Sequence, residues 1–205
     1  WAELAGRVPQ AERVVQAERA EDLLREILRS YRRTLQGDRR RLLERFQYVD
    51  AARKVVGVGS VGTRAWIVLL LGRDEGDPLI LQAKEAQPSV LEPSLGKSPF
   101  ASHGQRVVEG QRLLQAASDI MLGWIRVQAP DGVQRDFYVR QLWDGKGSAD
   151  VDVMEPDTMV AYARLCGLTL ARAHARSGDA VAVAAYLGTS TVFDEAMATF
   201  AEIYA

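Results

Sequence analysis

The amino-acid sequence predicts an α+β fold, in which a five-stranded antiparallel sheet carries one inserted helix and is flanked by helical segments. Three observations support this prediction. Apolar residues recur at helical spacing near both ends of the chain, runs rich in branched and aromatic residues lie between them, and turn-forming residues separate those runs. The chain has 205 residues, 47% of them hydrophobic, which is enough for a packed core.

The N-terminal segment, residues 11–48, is typical of a helix pair that buries one apolar face. Helical spacing places five apolar residues on that face: Leu23, Leu24, Ile27, Leu28 and Tyr31. Gly37 and Asp38 indicate a break, and the second helix is predicted over 39–46.

The middle of the chain predicts the sheet. The predicted strands cover residues 54–56, 63–71, 79–83, 121–128 and 134–142. The first three form an antiparallel meander. A helix over 102–118, with Ser102 as its N-cap, separates them from the last two, which Pro130-Asp131-Gly132 joins as a hairpin.

The C-terminal segment returns to helical spacing. A helix is predicted over 157–176, Gly178 and Asp179 close it, and a last helix starts near Phe193. We therefore expect three segments: helical residues 1–50, a sheet-containing lobe over 51–145 and a helical segment over 146–205.

Composition excludes several classes of function. The net charge of −1 argues against a dedicated nucleic-acid binder, and the basic residues at 32–33 and 39–41 fit solvated helix faces. The longest apolar run is too short for a membrane helix. Cys166 is the only cysteine, which fits a reducing compartment, so we expect a cytoplasmic protein of undetermined oligomeric state.

The glycine motif Gly57-Val-Gly59-Ser60-Val-Gly62 is the main candidate for function, because glycines let backbone N–H groups approach a phosphate closely. A tight hairpin turn without a ligand remains an alternative. The motif precedes a predicted strand, which argues against a Rossmann site, whose last glycine opens a helix. It also lacks the Gly-Lys-Ser/Thr ending of a Walker loop. The kinase-type loop, a strand–glycine–strand hairpin over the phosphates, fits this context.

A kinase-type site also needs a lysine on the next strand and an acid on a helix to hold that lysine. Lys84 closes the predicted strand Leu79-Ile-Leu-Gln-Ala-Lys84, and Glu109 lies in the middle of the predicted helix. A surface lysine and a solvated glutamate are the alternatives. Glu85 is a poor partner for Lys84, since adjacent strand residues point to opposite faces. The candidate nucleotide-binding residues are Gly57, Gly59, Ser60, Gly62, Lys84 and Glu109.

The catalytic parts of a kinase are missing from this sequence. Kinase catalysis needs an Asp with a following Asn on magnesium and a second Asp on the metal, but the chain contains no asparagine. Asp136-Phe137-Tyr138 lacks the glycine of Asp-Phe-Gly, and Asp179 fits helix punctuation better than a catalytic base. We therefore expect no catalytic residue and no metal ligand in this chain.

Long stretches of the chain carry a resemblance to a known family: residues 54–64, 81–86, 106–115, 138–142 and 173–179. They resemble the bacterial family called domain of unknown function 2252, specifically its C-terminal half. The N-terminal half of that family carries Gly-Asp-x-His-x-x-Asn-Phe-Gly and Asp-x-Asn-Asp-Phe-Asp segments, which resemble the catalytic loop and metal-binding Asp of aminoglycoside-phosphotransferase-like kinases. The resemblance implies a circularly permuted kinase-like fold.

Two hypotheses of function follow. The first is the ATP-binding lobe of a kinase-like phosphotransferase, with ATP and Mg²⁺ as cofactors and the N-terminal half of the same protein as a partner. Trp1 in place of Met, and a helical pattern that continues to the last residues, support the expectation of a fragment. The second is a non-catalytic, pseudokinase-like binding module or a structural domain.

Overall fold

The sheet has the predicted number of strands and the predicted antiparallel pairing. The computed structural model describes residues 26–54, 62–129, 131–142, 147 and 149–204. The strands are β1 (Gln47–Arg53), β2 (Ala65–Leu71), β3 (Pro78–Ala86), β4 (Gly123–Gln128) and β5 (Gln134–Gln141). Their order in the sheet is β1-β2-β3-β5-β4, and every neighbouring pair is antiparallel.

Seven α-helices lie within the described residues, so the α+β class is confirmed. They are α1 (residues 26–34), α2 (Gly37–Leu43), α3 (Glu92–Leu95), α4 (His103–Leu114), α5 (Pro156–Ser177), α6 (Ala180–Leu187) and α7 (Val192–Tyr204). A short 3₁₀ helix covers Val151–Val153. Helix α4 is the helix inserted between the third and fourth strands.

The described chain divides into two compact units. One is formed from residues 26–110 and 118–142 and contains the sheet, and the other is formed from residues 111–117 and 147–204 and contains α5 to α7. The segment boundaries that the sequence suggested, at 50 and 145, stay predictions.

The main core of the first unit lies on one face of the sheet. Leu79, Leu81 and Ala83 alternate along β3 toward this face, where Tyr31 and Leu35 cover them. Full burial of an aliphatic side chain stabilises the fold by roughly 1.5–3 kcal/mol, so this cluster contributes much of the stability of the unit. Ile27 and Leu28 pack against the same cluster, as the helical spacing predicts.

The first strand differs from its predicted position. Helix α2 ends at Leu43 and β1 begins at Gln47, whereas the sequence predicts a helix over 39–46 and a strand over 54–56. Pairing decides the difference, because Gln47 lies opposite Leu71 at the far end of β2. The ladder then extends to Arg53, through an irregularity between Tyr48 and Asp50. Residues 55 and 56 lie outside the described part of the chain.

The predicted N-cap at Ser102 and the predicted hairpin turn are present, but the inserted helix is shorter than predicted. Ser102 Oγ accepts a hydrogen bond from the Gln105 N–H at 3.4 Å, but α4 ends at Leu114 rather than near residue 118. The hairpin between β4 and β5 is present, with Gly132 at a φ of +77°. Two short helices were not predicted: α3, which lies in a segment dense in turn-forming residues, and α6, an eight-residue apolar run that follows Gly178 and Asp179.

Helix α4 approaches the sheet closely at one glycine. A Cβ at Gly104 would lie 2.4 Å from the Phe137 carbonyl oxygen and 3.2 Å from the Trp124 Cβ, whereas a Cβ at Gly110 in the same helix would meet nothing within 4 Å. The backbone of β5 cannot move away without losing ladder hydrogen bonds. Glycine is therefore required at position 104 for packing, and not at position 110.

This contrast predicts opposite effects for two alanine substitutions in one helix. Gly104→Ala is expected to lower the free energy of unfolding by about 1–3 kcal/mol through overpacking. Gly110→Ala is expected to raise it by up to about 1 kcal/mol, because alanine is the better helix former. Urea unfolding followed by circular dichroism measures both. A Gly104→Ala variant as stable as Gly110→Ala would contradict this packing.

Candidate functional site

Lys84 lies inside strand β3 and not at its end. The strand runs to Ala86, so Lys84 is paired on both sides, with Ala65 of β2 and Tyr138 of β5. Directly opposed residues of an antiparallel pair share a face, and neighbours along a strand alternate. Lys84 therefore projects from the face opposite to the Ala83 core, in a row with Tyr138 and Trp124.

Helix α4 covers part of this second face. Gly104 approaches Trp124, Val108 is fully buried, and the His103 N–H donates to Asp136 Oδ2 at 2.8 Å. Trp124 and Asp136 occupy the same face as Lys84 in the register of β4 and β5. The helix that carries Glu109 thus lies on the side of the sheet to which Lys84 projects.

The structure does not join Lys84 to Glu109 as an ion pair. Among the described residues, no carboxylate lies within 4.0 Å of the Lys84 ammonium, and the charge that affects it is the guanidinium of Arg140. Burial lowers the pKa of Lys84 below its ordinary value, and the positive charge of Arg140 lowers it further. The role of Glu109 therefore stays a prediction. The charged group that affects Lys84, the Arg140 guanidinium, is itself positive.

Arg140 is a residue that the sequence analysis did not single out. It lies opposite Gln82 in the pairing of β3 with β5, one position along the same face from Lys84 and Tyr138. Its Nη2 donates to Gln82 Oε1 at 3.4 Å, and Gln82 is only 3% exposed. No sequence signal could have found this pair, because the register of β3 against β5 brings together residues far apart in the chain.

The glycine motif lies between β1 and β2 in the chain, and β2 is one of the two strands paired with the strand that carries Lys84. Gly57, Gly59 and Ser60 lie outside the described residues. On either side of them, β1 and β2 form an antiparallel pair, with the Lys54 N–H donating to the Ala65 carbonyl at 2.9 Å.

The described end of that connection lies beside Lys84. Gly62 has a φ of +81°, in the left-handed region that favours glycine. Two residues after it, Arg64 accepts from the Glu85 N–H at 2.8 Å, and Ala65 pairs with Lys84. The glycine connection therefore enters β2 at the end of the sheet where Lys84 lies.

Glu85 belongs to the opposite face, as its position next to Lys84 predicts. Its Oε2 accepts from the Arg64 N–H at 3.0 Å and from Arg64 Nη1 at 3.2 Å, and its Oε1 lies 3.8 Å from Arg135 Nε. This carboxylate is 11% exposed and neutralises two arginines at the end of the sheet. It is thereby separated from Lys84.

Asp136 has a structural role. Arg126 Nε donates to its Oδ1 at 2.6 Å and Arg126 Nη2 to its Oδ2 at 3.0 Å, while its Oδ2 also accepts from the first N–H of α4 at His103. Burial raises the pKa of the Asp136 carboxyl, but the hydrogen bonds from Arg126 and His103 outweigh it, so the pKa is lowered. Asp136 thus fixes the start of helix α4 on the sheet.

Asp179 also has a structural role. Its Oδ1 accepts from the Val181 and Ala182 N–H groups at 3.0 Å each, which caps the N-terminus of α6. The sequence pattern instead predicts that Asp179 ends the preceding helix. The part of the chain that the structure describes contains no cluster of three or more His, Cys, Asp or Glu residues able to hold a metal ion. None of the described helices is both long and apolar enough to cross a membrane.

The fold and this face of the sheet define an α+β protein with a basic site beside a glycine-rich strand connection. A family model described as an uncharacterised protein conserved in bacteria, DUF2252, matches residues 4–205. The chain therefore belongs to that family. Searches of curated proteins and of solved structures found no match.

The Asp136 cluster predicts a pH-dependent loss of stability. Asp136→Asn is expected to lower the free energy of unfolding at pH 7 by on the order of 2 kcal/mol, because a charge-assisted pair is lost. The folded pKa of Asp136 is lowered, so its contribution is complete above the unfolded value of about 3.9 and is lost as the pH falls through the folded value. The difference between wild type and variant should therefore shrink at low pH.

Urea unfolding at pH 7 and pH 3 tests this expectation. Asp74→Asn is the matched control, because Asp74 forms an exposed ion pair with Arg73. This substitution should change the free energy of unfolding little at either pH. An Asp136→Asn effect that is the same at both pH values would show that ionisation of Asp136 does not stabilise the fold.

Proposed function

We propose that this chain is the nucleotide-binding part of a kinase-like, ATP-dependent phosphotransferase. The observation that carries the proposal is the position of Lys84, on the third strand and beside the point where the glycine connection enters the second strand. Protein kinases use a glycine-rich loop over the phosphates and a lysine on the third strand. The insertion of α4 between the third and fourth strands fits the same arrangement.

The chemistry of the site fits an anion. Lys84 and Arg140 place two positive charges on one face of the sheet, and no acid lies within ion-pair distance of Lys84 among the described residues. In the proposal, Gly57, Gly59 and Gly62, with Ser60, cover the phosphates of ATP, and Lys84 contacts them as a point charge. Phosphate oxygens would then take the place of the water molecules that burial removes from the Lys84 ammonium.

Glu109 holds Lys84 in this proposal. The two residues lie on elements on the same side of the sheet, and the structure does not join them to each other as an ion pair. Kinase activity requires this pair to be formed. We therefore assign Glu109 to the lysine in the active, nucleotide-bound state.

In this proposal, the residues that bind magnesium and transfer the phosphoryl group lie outside this chain. The sequence has no asparagine, and its described part has no acidic metal cluster. We assign the catalytic loop and the metal ligands to the N-terminal half of the same protein, upstream of Trp1. ATP would be held here, and Mg²⁺ would be held jointly by the phosphates and that upstream segment.

The same absence favours a second candidate, a non-catalytic nucleotide-binding module. ATP consumption by the whole protein, measured over a panel of small hydroxyl-containing acceptors, separates the two. Nucleotide binding without consumption favours the module, and the absence of nucleotide binding favours a structural domain.

Lys84→Ala tests the nucleotide site directly. We expect the whole protein to lose about tenfold or more of its affinity for ATP–Mg²⁺, because one charge-assisted contact to phosphate is removed. Titration calorimetry measures this affinity. Lys97→Ala, at an exposed loop position, removes the same charge and should leave the affinity unchanged. Wild-type affinity in Lys84→Ala would remove Lys84 from the site.

A further inference from the structure

We propose that Arg140 is a second phosphate-binding residue beside Lys84, and that the two together select a ligand with at least two adjacent phosphate groups. This inference rests on the proposed function, since it takes Lys84 as a phosphate contact. It adds a residue and a ligand class that neither the glycine motif nor the lysine specifies.

Strand register brings the two cations together. Lys84 pairs with Tyr138 and Gln82 pairs with Arg140, so Lys84 and Arg140 are diagonal neighbours on adjacent strands and on one face. Diagonal neighbours in an antiparallel pair have Cα atoms about 7–8 Å apart, within reach of long side chains. Two phosphate groups of a nucleotide can span such a gap.

The other arginines of β4 and β5, unlike Arg140, have carboxylate partners. Arg126 has Asp136 as its carboxylate partner, and Arg135 has Asp131 and Glu85. Arg140 instead donates a hydrogen bond to the neutral Gln82, and it forms no ion pair with another described residue. Adjacent like charges destabilise a sheet, so an uncompensated pair indicates a site that an anion completes.

Gln82 orients the guanidinium. It is nearly fully buried, and its Oε1 accepts from Arg140 Nη2, which fixes one edge of the planar group. A guanidinium carries five N–H donors and binds phosphate through two parallel hydrogen bonds, whereas an ammonium acts as a point charge. An oriented arginine beside a lysine therefore recognises a diphosphate or triphosphate better than a single phosphate.

Binding measurements on the whole protein test this inference, with ATP, AMP and inorganic tripolyphosphate as probes at constant ionic strength. We expect Arg140→Gln to lower the affinity for ATP and for tripolyphosphate by about tenfold. The affinity for AMP should fall much less, because AMP supplies one phosphate. Arg140→Lys should recover part of the loss. Arg73→Gln, at a position whose side chain is 86% exposed, removes the same charge and should change nothing.

Thermal unfolding without ligand separates binding from structure. If Arg140 serves the ligand, Arg140→Gln should keep or raise the Tm, since it removes repulsion with Lys84. A lowered Tm with unchanged probe affinities would assign Arg140 to the fold and overturn the inference.

The outcomes also separate this inference from the proposed function. If Lys84→Ala weakens ATP binding and Arg140→Gln does not, the nucleotide site stands and the role of Arg140 is wrong. If tripolyphosphate binds in an Arg140-dependent way and ATP does not bind, the phosphate pair stands and the nucleotide proposal is wrong. Failure of the wild type to bind either probe overturns both.

Discussion

Strand β3 is the central constraint of the first unit, because it is hydrogen-bonded to β2 on one side and to β5 on the other. Its alternation sends Leu81 and Ala83 into the core under α1, and Gln82 and Lys84 to the opposite face. A slip of one residue in this strand would bury the lysine and expose the leucines. The apolar core therefore fixes the position of the candidate site.

The two faces of the sheet differ in whether their charged side chains have partners of opposite charge. Near the end of β3, Glu85 neutralises Arg64 and Arg135 on the core side, where its carboxylate is nearly buried. On the other face, Lys84 and Arg140 are diagonal neighbours, and no carboxylate of the described residues lies within ion-pair distance of either. The ion pairs of Glu85 thus stabilise the strand ends. The positive charges that lack a carboxylate partner lie near the point where the glycine connection enters β2.

Helix α4 is attached to the second face by two short-range features. The glycine at 104 lets the helix backbone approach the Phe137 carbonyl, and Asp136 accepts the first N–H of the helix while it pairs with Arg126. Both features act at the N-terminal end of the helix. Glu109 lies further along, so its distance from Lys84 depends on the direction of the helix axis and not on these anchors.

The number of strands, their antiparallel hairpins and the inserted helix follow from the sequence, because alternation and turn residues are local signals. The sequence also places Lys84 and Glu85 on opposite faces. Three features become visible only in the folded chain: β1 begins at Gln47, Glu85 pairs with two arginines, and Arg140 lies beside Lys84. These contacts depend on the register between strands distant in the chain, which sequence spacing does not encode.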